Sequence, residues 1–216
     1  MCTHRPGREP LPRDDESRLT DPGSKAEVRR YYRTVGRFID SDLSERNDAA
    51  YWTSRVQELG RPRILELGAG TGRVTRVLAP LAGEVVAVDL SRDMLARARR
   101  ALEGVPGVHL VLADMQELAL DRAFDLVVAA NDPLIHLPSD TGRDRVLRVV
   151  AEHLRPGGLF IFDAHRMRPE ARRKAANPGG WRKERTVGDP PESYSVRETW
   201  QFNPAHWTAR VRYEYR

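Results

Sequence analysis

Three glycines follow a short apolar run and could hold a nucleotide. The run 64–67 predicts a buried strand, and Gly68, Gly70 and Gly72 interrupt it before a helical pattern begins at Val74. Glycine tolerates φ > 0 and lets the backbone approach a ligand closely, while the free N–H groups of a following helix attract ligand atoms. This strand, turn and helix therefore predict a nucleotide site, and the alternative is an ordinary tight connection.

Carboxylates stand at the ends of the next two apolar runs. The run Val85–Val88 ends in Asp89, and the run 108–112 is followed closely by Asp114. A carboxylate at a strand's carboxyl end can accept both hydroxyls of a ribose, with roughly 1.5–3 kcal/mol from each charge-assisted hydrogen bond. The alternatives are that Asp89 only caps the helix that carries Met94 and that Asp114 is an ordinary turn residue.

A histidine follows the fourth apolar run, which spans 124–130. Imidazole titrates near neutral pH, so His136 could act as a general base. Because His136 lies between Ile135 and Leu137, the alternative is a packing residue with satisfied hydrogen bonds.

The glycine spacing separates two kinds of nucleotide site. A dinucleotide turn reads G-x-G-x-x-G/A, but the last of those positions is Arg73 here. The pattern is instead G-x-G-x-G with Glu66 before it, and it resembles the first motif of the class I S-adenosylmethionine (SAM)-dependent methyltransferases. The resemblance covers residues 25–165 and includes the Leu-Arg-Pro-Gly-Gly turn at 154–158. It implies binding of SAM and S-adenosylhomocysteine (SAH) but not of NAD.

The resemblance also implies roles for single residues. Asp89 would bind the ribose, and Asp114 would accept from the adenine amino group while Met115 lines the ring. The Tyr31-Tyr32 pair resembles the family's aromatic entry motif, although both tyrosines could instead face the core. His136 and Tyr32 are the candidate catalytic residues. The implied cofactor site consists of Tyr31, Glu66, Gly68, Ala69, Gly70, Thr71, Gly72, Arg73, Asp89, Leu90, Met94, Ala113, Asp114, Met115 and Asn131.

The methyl acceptor is less defined by the sequence. The Asn-Asp-Pro-Leu stretch at 131–134 superficially resembles the motif of methylases that act on nucleobases, but it lacks their second proline and their aromatic residue. We therefore expect transfer to a nitrogen or oxygen of a small molecule. The alternatives are a catalytically idle SAM-binding module and a methyltransferase that acts on nucleic acid or protein.

The amino-acid composition limits the kinds of protein to which this chain can belong. The 216 residues are 40% hydrophobic and 31% charged, which suits one globular domain with a core. The net charge of +5 comes from arginines scattered among acids, so nucleic acid is an unlikely partner. Cys2 is the only cysteine, so no disulfide can form within the chain. The sequence has no compact set of His, Cys and carboxylate ligands, so we expect no metal site. With no apolar run suited to a signal peptide or membrane span, we expect a cytoplasmic protein.

Three segments divide the chain. Residues 1–22 are polar and proline-rich and predict a disordered tail. Residues 23–165 predict leading helices and a Rossmann-like, doubly wound, mostly parallel sheet with flanking helices. Residues 166–216 predict a loop and an antiparallel hairpin.

The C-terminal hairpin has an aromatic face on each strand. We expect that face to turn toward the pocket or the core and the hairpin to cover the substrate, outside the main sheet. The fifth strand would then remain an edge. The face comprises Tyr194, Val196, Trp200 and Phe202 on one strand and Trp207, Ala209, Val211, Tyr213 and Tyr215 on the other.

Overall fold

The computed structural model describes most of the chain after residue 23. The predicted disordered tail at 1–22 and Trp207 of the predicted aromatic face lie outside the described residues. The described ranges are 24–43, 46–137, 139–164, 168–176, 181–187, 193–205 and 208–216.

Three of the described helices begin after a capping serine. Ser24, Ser91 and Ser139 each precede a helix, and each hydroxyl oxygen accepts a hydrogen bond from the backbone N–H three residues later. None of the described helices is long and apolar enough to cross a membrane. The α-helices are α1 Lys25–Val35, α2 Ile39–Asp42, α3 Ala49–Gln57, α4 Thr75–Leu78, α5 Arg92–Ala101, α6 Asp140–His153 and α7 Pro169–Ala175.

Five parallel strands form the central sheet in the order β3-β2-β1-β4-β5. The order reverses between β1 and β4, and this switch point opens a crevice at the carboxyl edge. The structure confirms the predicted parallel fold. The strands are β1 Arg63–Leu67, β2 Glu84–Asp89, β3 Val108–Leu112, β4 Phe124–Ala129 and β5 Leu154–Phe162.

Apolar side chains cover both faces of this sheet. On β1, Ile64 packs into one core cluster with Trp52 and Leu78, whereas Leu65 and Leu67 pack into the opposite cluster. A strand buried on both faces needs a continuous apolar run, which explains why β1, β2 and β4 are so easily found in the sequence.

Two boundaries differ from the sequence analysis. The apolar period from Ser24 through Val28, Tyr32 and Val35 to Ile39 predicts one helix, but turn residues 36–38 divide it into α1 and α2. Strand β5 begins at Leu154, where it pairs with Phe124, and resumes regular pairing at Leu159 opposite Leu126. Residues 155–158 are therefore a bulge within the strand and do not form a turn before it.

The C-terminal region contains more structure than the predicted loop and hairpin. The hairpin is confirmed as β7 Tyr194–Asn203 and β8 Thr208–Tyr215. Helix α7 and a third strand, β6 Trp181–Val187, were not predicted, and the three strands form a separate antiparallel sheet in the order β6-β7-β8. Strand β6 escaped prediction because its sequence is mostly charged and lacks alternation. As predicted, β8 pairs with β7 and not with β5.

Candidate active site

A cleft that is partly open to solvent lies at the carboxyl edge of the parallel sheet. Its floor comes from the ends of β1, β2, β3 and β4, and helix α1 forms one wall with Lys25, Val28 and Tyr32. These three residues are spaced i, i+3 and i+7, so they share one helix face.

The glycine turn after β1 lines the cleft. Gly68 has φ +73°, and a Cβ atom there would lie 2.6 Å from the Cβ of Pro133, so this position requires glycine. Gly70 has φ +59°, and a Cβ atom there would meet only Met94 Cε, at 3.7 Å. Gly70 therefore faces space that a ligand can enter, whereas Gly68 is needed to bring the turns after β1 and β4 together.

Asp89, at the end of β2, is a nearly buried carboxylate that is fixed at both oxygens. The Gly70 N–H donates to Oδ2 at 2.8 Å, and the Ser91 N–H donates to Oδ1 at 2.7 Å. Burial raises the pKa of Asp89, and these backbone donors oppose that shift. Each oxygen retains a second lone-pair direction, so the carboxylate can still accept two ligand hydroxyls.

Glu66 is buried beneath the glycine turn. Thr75 of α4 donates its hydroxyl to Glu66 Oε2 at 2.6 Å. Burial raises the pKa of Glu66 to about 7, so its protonation changes near neutral pH. Glu66 lines the cleft and also anchors α4 to β1.

Asp114, just after β3, is held by the first residue of α1. Lys25 Nζ lies 2.8 Å from Asp114 Oδ2 and 2.7 Å from Glu117 Oε1. The Gln116 N–H donates to Asp114 Oδ1 at 2.9 Å. These contacts orient the carboxylate in the cleft wall beside Met115.

His136 and Tyr32 meet at the other end of the cleft. Tyr32 Oη lies 2.7 Å from His136 Nε2, and both residues line the cleft. Burial lowers the pKa of His136 and raises the pKa of Tyr32, so both groups are neutral near pH 7. His136 thus lines the cleft with a hydroxyl partner, and its role as a base and its role as a packing residue with satisfied hydrogen bonds both stay predictions.

The turn after β4 has a strained backbone. Asn131 and Asp132 have φ values of 65° and 53°, which non-glycine residues seldom adopt. Asp163, at the end of β5, accepts from the Asp132 N–H at 2.6 Å and stabilises this turn. Arg46 donates to the Asn131 amide oxygen and lies 3.3 Å from Asp163 Oδ2. Asn131 consequently lines the cleft with a fixed side chain.

Side chains of the glycine turn are tied to the leading helices. Thr71 donates to Asp40 of α2 at 2.5 Å, and Arg73 makes a two-point ion pair with Asp48 at 2.6 and 2.9 Å. The Arg73 guanidinium lowers the pKa of Asp48. Arg73 thus fixes the start of α3 as well as lining the cleft.

The structure brings most of the predicted site residues together. Gly72 does not line the cleft, because it packs against α5, where a Cβ atom would lie 2.8 Å from Leu102 Cδ1. Tyr31 also lies outside the lining, between Tyr32 and Tyr213, with ring centroids 5.0 and 6.2 Å away. The predicted residues that do line the cleft are Tyr32, Glu66, Gly68, Ala69, Gly70, Thr71, Arg73, Asp89, Leu90, Met94, Ala113, Asp114, Met115, Asn131 and His136.

Sequence reasoning missed several contributors to the site. Lys25 and Val28 could have been found, because they share the helical period of Tyr32. Arg46 and Asp163 carry no local signal, since their contacts depend on how distant segments come together. Among the described residues, no group of three or more His, Cys, Asp or Glu side chains could hold a metal ion.

Comparison with known proteins gives one family model and many relatives. The model described as "Methyltransferase domain" matches residues 64–158. The cypemycin N-terminal methyltransferase of a Streptomyces species is 34% identical over 130 residues, which are 58% of this chain and 51% of that protein. The chain thus spans about half the length of the curated relatives it matches.

Solved structures extend the similarity beyond that segment. The DhpI–SAH complex is 32% identical, with a TM-score of 0.57, and the match covers 66% of this chain and 70% of that one. A SAM-bound amino pentose methyltransferase from Micromonospora echinaspora is 21% identical, with a TM-score of 0.62, over 93% of this chain and 83% of that one. The second match shows that the fold, including part of the C-terminal region, occurs in a solved protein.

Proposed function

The chain belongs to the class I SAM-dependent methyltransferase family, and from that premise we propose that it transfers a methyl group from SAM to a nitrogen or oxygen of a small molecule. The observation that carries the proposal is the cleft itself. Fixed carboxylates at β2 and β3 lie toward one end, and the Tyr32–His136 pair lies where the cleft meets the turn after β4.

The cleft residues fit a nucleoside cofactor. Asp89 keeps lone pairs free for ribose hydroxyls after its two backbone bonds are made, and Gly70 leaves room for close approach. Asp114 would accept from the adenine amino group, with Met115 against the ring. The turn Gly68–Gly70 and Asn131 would contact the part of the ligand that points toward His136.

SAM, when bound, supplies an activated methyl group on a sulfonium leaving group. The chain's task is then mainly to hold a nucleophile in line with the S–CH3 bond, and such orientation can remove roughly 7–11 kcal/mol from a barrier. The fixed rotamers of Asp89 and Tyr32 serve this purpose, because a bound ligand meets preformed contacts.

Tyr32 and His136 would take up the proton that the nucleophile loses. The Tyr32 oxygen accepts that proton while the hydroxyl hydrogen moves to His136 Nε2, 2.7 Å away. Burial lowers the pKa of His136, so the imidazole is available as a base at neutral pH. General-base help of this kind contributes about 10²–10⁴-fold.

The antiparallel sheet is proposed to cover the methyl acceptor. Tyr213 of β8 lies against Tyr31, which in turn touches Tyr32. Tyr213, Tyr31 and Tyr32 thus form a row of aromatic rings from the antiparallel sheet to the His136 end of the cleft. The acceptor would therefore be a small molecule enclosed between the two sheets, in a cytoplasmic setting suited to a chain with one cysteine.

Two measurements test the proposed function. Calorimetry should detect saturable SAH binding and no NAD binding. Purified protein incubated with methyl-labelled SAM and a panel of small amines and alcohols should label a small molecule, in preference to tRNA or a protein mixture included in parallel. NAD binding without SAH binding contradicts the cofactor, whereas SAH binding with labelled tRNA or protein contradicts the acceptor class.

A further inference from the structure

We propose that Lys25 is a positioning residue for the cofactor, which fixes the Asp114 carboxylate and holds helix α1 closed over the adenine end of the cleft. This inference rests on the proposed function, because it assumes that SAM and SAH occupy the cleft. Neither the glycine pattern nor the strand-end acids point to Lys25.

The contacts of Lys25 join the start of α1 to the loop after β3. Its ammonium lies 2.8 Å from Asp114 Oδ2 and 2.7 Å from Glu117 Oε1. The Asp114 side chain is 9% exposed, whereas the Lys25 and Glu117 side chains are 41% and 60% exposed. Lys25 therefore connects a nearly buried acid in the cleft wall with an acid on the surface.

The Asp114 carboxylate needs this partner to keep one orientation. Its Oδ1 accepts from the Gln116 backbone at 2.9 Å, and Lys25 supplies the ionic contact at Oδ2. A nearly buried carboxylate that loses its charged partner is costly and prone to turn away. Asp114 Oδ2 is buried and has no hydrogen-bond partner among the described residues, so it keeps a lone pair for a ligand amino group while the Lys25 charge orients the carboxylate.

Helix α1 spans the cleft between two such contacts. Lys25 binds at the end of β3, and Tyr32, two turns later on the same face, lies against His136 after β4. Between them, Arg29 Nε lies 3.4 Å from the Leu90 carbonyl oxygen after β2. A ligand of nucleoside size in the cleft would lie against α1, and the Lys25 contacts hold the start of this helix in place beside it.

The most direct test measures SAH binding to the full chain and to Lys25→Met. Methionine keeps a similar side-chain length but has no charge. Because the ion pair is partly exposed, we expect the Kd for SAH to rise about 3-fold to 10-fold, mainly through faster dissociation. Lys25→Arg should recover most of the affinity, and Lys174→Met, in α7, is the matched control and should bind as wild type does.

Salt dependence distinguishes positioning from simple packing. Raising the salt concentration should speed SAH release from wild type and from Lys174→Met, because salt screens the Lys25 ion pairs. It should have much less effect on Lys25→Met. Glu117→Gln should have a smaller effect than Lys25→Met on affinity, since Glu117 does not line the cleft.

The three lysines provide an independent readout. Amine-reactive labelling followed by mass spectrometry compares Lys25 with Lys174 and Lys183 in one sample, and saturating SAH should slow labelling at Lys25 alone. If wild type binds SAH but Lys25→Met has the same affinity, release rate and salt dependence, Lys25 is not a positioning residue. If wild type does not bind SAH, the proposed function fails and this inference with it.

Discussion

Tyr32 and His136 are 104 residues apart in sequence, and yet the Tyr32 hydroxyl lies 2.7 Å from His136 Nε2. The contact links the cleft face of α1 to the turn after β4. His136→Asn and Tyr32→Phe should each lower turnover by about 10²-fold or more, because each breaks the path for the proton. SAH affinity should change little, and this is checked by calorimetry beside a methyl-transfer assay. Normal specific activity in folded His136→Asn would support the packing role.

Removing the Asp89 carboxylate should weaken cofactor binding. Asp89→Ala loses a charged acceptor for two ligand hydroxyls, so the Kd for SAH should rise by roughly 30-fold, or about 2 kcal/mol. Calorimetry provides the measurement, with Asp93→Ala as the control because Asp93 is an exposed acid in the first turn of α5. Unchanged SAH affinity in Asp89→Ala would remove this residue from the cofactor site.

Glu66 should make the stability of the folded chain depend on pH. Its pKa is raised from 4.5 to about 7 by burial, so the folded state binds its proton more tightly than the unfolded state does. The free energy of unfolding should therefore fall as pH rises between those values, by at most about 1.4 kcal/mol per pH unit from this group. Denaturant unfolding at several pH values measures it, and Glu66→Gln should flatten the slope. Equal slopes in both proteins would assign the effect to other groups.

The glycine turn offers a comparison of backbone strain with steric contact. Gly68 and Gly104 have φ values of +73° and +76°, but a Cβ atom would meet Pro133 only at Gly68, and at Gly104 nothing lies within 4 Å. In both variants, holding alanine in the left-handed backbone conformation costs about 1–2 kcal/mol. Gly68→Ala should lose about 1–3 kcal/mol more through overpacking. Equal losses in thermal unfolding would mean that the turns after β1 and β4 move apart easily.

We expect Asp42 to anchor the antiparallel sheet to helix α2. Its carboxylate is contacted by one side chain from each strand of that sheet, namely Arg185 at 3.1 Å, Tyr194 at 3.3 Å and Tyr215 at 3.1 Å. Asp42→Ala should cost about 1–3 kcal/mol and speed amide exchange in β6–β8.

The matched control for Asp42→Ala is Glu184→Ala. Glu184 is paired with Arg197 in an exposed ion pair, so its removal should cost less than about 1 kcal/mol. SAH affinity should stay near wild type in both variants. Similar exchange rates in the two variants would show that Asp42 does not anchor the sheet.

Much of the parallel sheet could be predicted, for a physical reason. Strands β1, β2 and β4 are buried on both faces and therefore read as continuous apolar runs, and acids at the ends of two runs indicate the ligand edge. Strand β6 could not be found in this way, because its sequence is mostly charged. It is stabilised by pairing with β7 and by the contact of Arg185 with the Asp42 carboxylate. Local patterns do not contain contacts between segments that are far apart in the chain.

The same limit applies to the site. The glycine turn, Asp89 and Asp114 are local signals, and the structure brings all three to one cleft. Gly72 fits the spacing but serves helix packing, since its close neighbour is Leu102. Helical spacing places Lys25 on the face of Tyr32, but its pairing with Asp114, like that of Arg46 with Asp163, depends on tertiary contacts that no spacing rule reveals.

The antiparallel sheet makes its aromatic and carboxylate contacts with α1, α2 and the turn between them. Phe38 stacks on Tyr215 with centroids 4.2 Å apart, and Tyr31 meets Tyr213. Strands β6–β8 can therefore accumulate substitutions, or be exchanged between homologous chains, without altering Asp89 or Gly70. If the sheet covers the methyl acceptor as proposed, such a division would let new acceptor preferences evolve on an inherited donor site, and these strands would be the segment to graft when the acceptor range is to be engineered.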